Sequence, residues 1–195
     1  MKEIISITPS TGGAVATGDI VGRDKEISEF WSILEKQGVA FFAERRFGKS
    51  SILRKMDADG QDGFISIYKP IEGVSSPENL ASVLLDRVKE MDLIDEGVSK
   101  KIENFYNKAT NVVEEMPGVK LKKLEYSWQK KLLYLFEKLI EKQKDKLILI
   151  MLDEFSIFLD KLPNDEASAV IGFFRNITFE NEFEKIRFVY CGSIG

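Results

Sequence analysis

The sequence predicts an α/β fold, a mostly parallel sheet sandwiched between helical layers. Three observations lead there. Short apolar or β-rich runs alternate with stripes at helical spacing. One run, Leu147-Ile-Leu-Ile-Met-Leu152, is apolar throughout, as a strand covered on both faces must be. A third stretch, Val39 to Leu53, reads as a strand, a polar turn, and a helix opened by Gly48-Lys49-Ser50. That order is what a phosphate-binding loop requires. At 195 residues, one domain spanning 1–195 is expected.

Residues Thr8 to Gly18 are small and turn-rich, a surface lead-in. Ile27, Phe30, Trp31 and Leu34 then share one helical face, which predicts a helix from about Asp24 to Lys36. The helix after the loop buries Ile52, Leu53 and Met56. Phe64-Ile-Ser-Ile-Tyr68 is a second strand, and 74–146 is a largely helical region before the apolar strand. Within it Ser76-Pro77 is an N-cap followed by proline at the first helical position, with Leu80, Val83, Leu84, Val88 and Met91 inward. Val98, Ile102, Phe105, Ala109, Val112 and Val113 mark another helix. Pro117-Gly118 breaks it, and Val119 to Leu124 reads as a small strand. Trp128, Leu132, Leu135, Phe136 and Leu139 form the next stripe. Asn164-Asp-Glu166 opens a helix to about Asn176 with Ala167, Val170, Ile171 and Phe174 inward, and Arg187 to Cys191 is the last strand.

The chemistry gathers at strand ends, because ligands of an open parallel sheet sit beyond the carboxyl ends of its strands. In the loop Ala43-Glu44-Arg45-Arg46-Phe47-Gly48-Lys49-Ser50-Ser51, backbone N–H groups and the helix N-terminus face phosphate. Lys49 reaches the β- and γ-phosphates, and the Ser50 hydroxyl is placed for Mg²⁺. Gly48 is the strict position, where the backbone approaches phosphate closely; Ala43 stands where the motif has its first glycine. Arg45 and Arg46 either touch phosphate or face solvent or a partner. Asp153 and Glu154 close the apolar strand, Asp153 as the partner of Mg²⁺ and Glu154 to orient the attacking water. Ser193, past the last strand, either donates to the γ-phosphate or the water, or is an ordinary turn serine. Arg175 is the in-chain arginine best placed for donation to a neighbouring subunit; its plainer reading is a surface arginine near a helix end.

Composition excludes several classes. There is no histidine, which removes imidazole-dependent serine and cysteine hydrolases and most zinc sites. A single cysteine, Cys191, points to a reducing compartment, and Met1-Lys-Glu-Ile-Ile-Ser lacks a signal-peptide core. A cytoplasmic protein without membrane spans is expected. The net charge of −4 gives no global case for nucleic acid. Val119 to Lys146 does hold nine basic and four acidic residues, read first as a solvated helix face and second as a nucleic-acid contact involving Lys122, Lys123, Lys130 and Lys131. Asn107-Lys108-Ala-Thr lacks the acidic residue of a guanine-specifying motif, and no acceptor pocket of a small-molecule kinase is visible.

Four segments together resemble a known group: Val21-Gly-Arg-Asp-Lys-Glu-Ile27, the loop from Ala43 to Ser50, Leu152-Asp-Glu154, and Phe188-Val-Tyr-Cys-Gly-Ser-Ile-Gly195. In this order they look like the prokaryotic AAA+/STAND-like P-loop ATPases, the archaeal ATPase family, with distant relatives among origin-recognition-type and NACHT ATPases. The resemblance implies a three-layer P-loop NTPase sandwich of ASCE/AAA+ type that binds ATP or ADP with Mg²⁺. It places Ile20, Val21 and Arg23 near the adenine pocket, Lys49 and Ser50 in Walker A, Asp153 and Glu154 in Walker B, and Ser193 at sensor 1. It also implies a longer protein, with the helical lid absent and self-association or an effector contact made through a C-terminal region. The leading expectation is a regulatory ATPase that hydrolyses the γ-phosphate. The alternatives are a nucleotide-binding scaffold with little hydrolysis and a nucleic-acid-associated ATPase.

Overall fold

The computed structural model describes Ile20, residues 22–104 and residues 128–194. Strands β1 (Val39–Ala43), β2 (Phe64–Pro70), β3 (Leu147–Asp153) and β4 (Ile186–Ser193) form one sheet in the order β1-β4-β3-β2. Every neighbouring pair is parallel. Helix α1 (Asp24–Leu34) precedes β1, and α2 (Lys49–Asp59) carries the chain to the far edge at β2. Between β2 and β3 lie α3 (Pro77–Glu90), α4 (residues 96–104) and α5 (Trp128–Lys142). Helices α6 (Phe155–Asp160) and α7 (Asn164–Phe179) join β3 to β4.

Strand periodicity sorts the core into two layers. On β3, Leu149 and Met151 pack with Trp31 and Leu34 of α1 and Ile52, Leu53 and Met56 of α2. Ile148, Ile150 and Leu152 face the other way, toward α3, α5 and α7. No residue of β3 from Ile148 to Leu152 is more than 1% exposed, which explains why the run reads as continuously apolar. Burying each such side chain contributes about 1.5–3 kcal/mol.

Local chemistry sets the helix ends. Ser76 Oγ accepts the Asn79 N–H at 3.1 Å, with Pro77 opening α3 and Arg87 and Lys89 in its last turn. The α1 helix stops at Leu34 rather than Lys36, because Arg187 from β4 takes the carbonyls of Leu34 (3.0 Å) and Glu35 (3.4 Å). At the open side of β2, Asp57 Oδ1 accepts the Tyr68 N–H at 3.3 Å while Asp57 Oδ2 pairs with Arg87 of α3 at 3.0 Å. This clip joins the two helical layers around the sheet edge.

Further sequence expectations change. The last strand runs on through Gly192 to Ser193, which the sequence places beyond it, because β4 keeps its register with β1 up to Ala43. Ile171 is 50% exposed: the buried face of α7 runs Val170, Phe174, Ile177, and Ile171 falls a hundred degrees off it on the solvent side. Lys131 is buried, not part of a solvated face, while Lys138 pairs with Glu141 and Lys142 with Asp95. The six-residue α6 directly after Glu154 was not expected. The predicted helix beyond residue 104, the strand from Val119 to Leu124, Lys122, Lys123, the Asn107-Lys108 motif and Val21 lie outside the described residues.

Candidate functional site

The loop between β1 and α2 is built around two left-handed residues. Gly48 caps α2 at φ +87°, a conformation that an L side chain adopts at a cost of about 1–2 kcal/mol. Arg46 adopts φ +65° two residues earlier, so the turn folds back before the helix starts. Glu44, Arg45, Arg46 and Phe47 are exposed, whereas Lys49 is 5% exposed. Ser50 and Ser51 stand half-buried in the first turn of α2.

Lys49 folds inward. Its ammonium donates to Ala43 O at 3.0 Å, Glu44 O at 2.9 Å and Ser193 Oγ at 3.2 Å. All three acceptors are neutral, and three is the full donor capacity of an ammonium. Ala43 and Ser193 are direct register partners on β1 and β4, and Ile194 N–H donates to Ala43 O at 3.2 Å. The lysine therefore lies where two strand tips meet.

The third tip carries the acids. Asp153, 2% exposed, closes β3; its Oδ1 accepts the Glu154 N–H at 3.1 Å and its Oδ2 accepts the Tyr68 hydroxyl at 2.8 Å. Burial, with the Asp153 charge beside it, pushes the Cys191 thiol up and holds it protonated. Glu154 sits at φ +59°, ψ +38°, a strained position for a side-chain-bearing residue. Its Oε2 is buried without a hydrogen-bond partner. Burial, and then the Asp153 charge, push its carboxyl above the usual range, partly offset by Lys49 and Arg45.

Arg23 braces the loop from outside. Its guanidinium donates to Phe47 O at 3.0 Å, pairs with Glu26 at 2.9 Å, and lies 5.2 Å from the Phe47 ring centroid. Sequence reasoning placed Arg23 near an adenine pocket; its contacts here are with the loop itself. Ser193 faces Lys49 through its hydroxyl, and its carbonyl accepts from Ser156 Oγ at 3.4 Å. Gly192 is needed beside it, since a Cβ there would lie 2.5 Å from Ser156 Oγ and 2.7 Å from Phe42 Cε1. Arg175 is exposed on α7.

Lys49 at the start of α2 thus meets Ser193 at the end of β4, with Ser50 one residue beyond it, while Asp153 and Glu154 close the neighbouring β3. Two contributors escaped sequence reasoning. Tyr68 comes from β2, the fourth strand, and its contact with Asp153 across the strand pair carried no local sequence signal. Ser156 carried no signal, because α6 itself was not foreseen. Among the described residues no group of three or more His, Cys, Asp or Glu side chains assembles into a metal site. No helix there is long and apolar enough to cross a membrane.

Comparison with solved structures agrees with this architecture. A Walker-type ATPase of Pyrococcus abyssi superposes with a TM-score of 0.60 at 15% identity, covering 94% of this chain and 48% of that one. The ORC2 protein of Aeropyrum pernix, solved in ADPNP–ADP complexes, superposes with a TM-score of 0.54 at 12% identity, covering 89% of this chain and 42% of that one. The chain spans about half the length of these structures. No protein-family model and no curated protein sequence matches it. At these identities the likeness shows the fold alone: the chain shares with both structures an α/β architecture built on a parallel sheet.

Proposed function

We propose that this protein binds ATP and hydrolyses its γ-phosphate with Mg²⁺, as the nucleotide-controlled part of a regulatory switch. One observation carries the reading: the Lys49 ammonium bridges the tips of β1 and β4 while Asp153 and Glu154 close the neighbouring β3. In this scheme the loop N–H groups from Glu44 to Ser51 hold the phosphates, and Lys49 exchanges its carbonyl partners for β- and γ-phosphate oxygens. Arg45 and Arg46, exposed on the loop, add positive charge around the triphosphate.

The oxygen donor set fits a magnesium ion. Ser50 and Asp153 supply a hydroxyl and one carboxylate, and magnesium sites of this kind take their other ligands from phosphate and water. When bound, the ion screens the charge that develops on the phosphate oxygens. Glu154, with an unpaired and partly ionised-form-disfavouring carboxyl, accepts a hydrogen bond from the attacking water and orients it toward phosphorus. Ser193, already bonded to Lys49, donates to the γ-phosphate once the lysine has moved.

The test is steady-state hydrolysis of Mg–ATP beside equilibrium nucleotide binding for wild type and Glu154→Gln. Loss of turnover with retained binding supports the switch. Equal, negligible turnover in both proteins with normal binding supports a non-hydrolysing scaffold, the reading favoured by a Lys49 whose donors are all occupied. Partner contacts, self-association and any nucleic-acid association belong to the same proposal.

A further inference from the structure

We propose that Tyr68 is a positioning residue: its hydroxyl fixes the Asp153 carboxylate in the orientation that a divalent cation requires. This inference rests on the nucleotide-site reading above. Asp153 is almost wholly buried, and its orientation is set by two donors, the Glu154 N–H on Oδ1 and the Tyr68 hydroxyl on Oδ2. A carboxylate offers about four lone-pair sites, so with one donor on each oxygen each still has a site for a further ligand. Without the phenol, Oδ2 would lose its 2.8 Å partner, and the carboxyl group would be free to turn about its bond to Cβ.

Tyr68 can do this only because it is itself anchored. It lies on β2, the sheet-edge strand, where its outward N–H would have no strand partner. Asp57 Oδ1 from α2 accepts that N–H at 3.3 Å, and Asp57 is held in turn by Arg87 at 3.0 Å. The chain Arg87–Asp57–Tyr68–Asp153 runs from α3 around the sheet edge to the tip of β3. The strand register brings Tyr68 opposite Met151, two residues before Asp153, so the ring reaches diagonally along the neighbouring strand to the acid. A phenylalanine would fill the same space and leave only the hydrogen bond unmade.

Supporting groups around a metal ligand typically change metal affinity by about 10–100-fold when lost. The test titrates Mn²⁺ into the protein–ADPNP complex by electron paramagnetic resonance, and measures ADPNP affinity in EDTA, for wild type and Tyr68→Phe. The expected result is a Mn²⁺ affinity about 10-fold weaker with metal-free ADPNP affinity within about twofold of wild type. In an Asp153→Asn background Tyr68→Phe should have no further effect on Mn²⁺. Unchanged Mn²⁺ affinity overturns the proposal, as does an equal loss with and without metal, which marks a merely structural tyrosine. If Tyr68→Phe does not fold, Asp57→Ala decides instead: it keeps the phenol, loosens its anchor and should weaken Mn²⁺ about threefold, on the same mechanism. No change in that variant overturns the proposal. A wild type that binds no ADPNP with or without metal sinks the nucleotide-site reading itself, and this inference with it.

Discussion

The tips of β1 and β3 face the same crevice but are held in opposite ways. On the β1 side, Lys49 is at rest: each of its three donors has a neutral acceptor within 3.2 Å, and its charge is sheltered by its own loop. On the β3 side, Glu154 is under tension, with a left-handed backbone and a buried oxygen that no group satisfies. Strain that survives at a strand tip is held there by the surrounding fold. On the proposed reading, the difference makes binding and chemistry separable: a ligand would have to open the lysine side, whereas the acid side is already set.

The sharpest way to break the contrast is Glu154→Gln, which keeps size and backbone but cannot take up charge. Its turnover of Mg–ATP should fall about 10³-fold with nucleotide affinity little changed, read from single-turnover rates beside calorimetry. Lys49→Ala attacks the other tip. It should cut turnover about 10²-fold, and here, unlike at Glu154, nucleotide affinity should fall as well. Proportional losses of binding and turnover in both variants would erase the distinction between the two tips.

Packing and backbone substitutions then sharpen it. Gly192→Ala puts a methyl against Ser156 and Phe42 and should cost about 2 kcal/mol in urea unfolding, displacing Ser193 from Lys49. Glu154→Gly should do the reverse, stabilising the fold by about 1 kcal/mol through relief of the φ +59° position while abolishing turnover. Destabilisation by that glycine would show that Glu154 is not strained in the way described.

The smallest effect concerns Asp57, whose carboxyl burial pushes above the usual range despite Arg87. A raised folded-state value means the folded chain takes up this proton at a higher pH than the unfolded chain. Stability from this group therefore increases as pH falls through the folded value toward the unfolded one, and is lost as pH rises. Against Asp57→Asn, which has no such titration, wild type should gain by less than about 1.4 kcal/mol per pH unit on acidification below neutrality. Urea melts of both proteins across that range check the sign.

The sequence made the sheet and the loop legible for a plain reason: β3 is buried on both faces and Gly48-Lys49-Ser50 opens a helix, so local pattern and tertiary position agree. Where they part, reading failed. Ile171 looked inward because four apolar side chains share a short stretch, yet Ala167, Val170 and Phe174 pack on the cluster around Phe188 while Ile171 is exposed. Helix α6 begins from a left-handed glutamate, which no periodicity announces. Tyr68 acts across a strand pair, and a contact between residues 85 apart leaves no local trace. Arg23 is the intermediate case: its neighbourhood was expected, but its contact with the Phe47 carbonyl could be seen only in three dimensions.

Helix α1 is pinned at both ends, by Arg23 onto the loop carbonyl and by Arg187 onto its own last carbonyls. Eleven residues of helix make a strut about 16 Å long. A strut fixed at both ends passes a push along its length instead of flexing, so a shift of Phe47 on phosphate entry would be delivered to the start of β4, at the opposite end of the strand that finishes in Ser193. On the proposed reading, the phosphate loop and the root of the strand that ends in Ser193 would then move together.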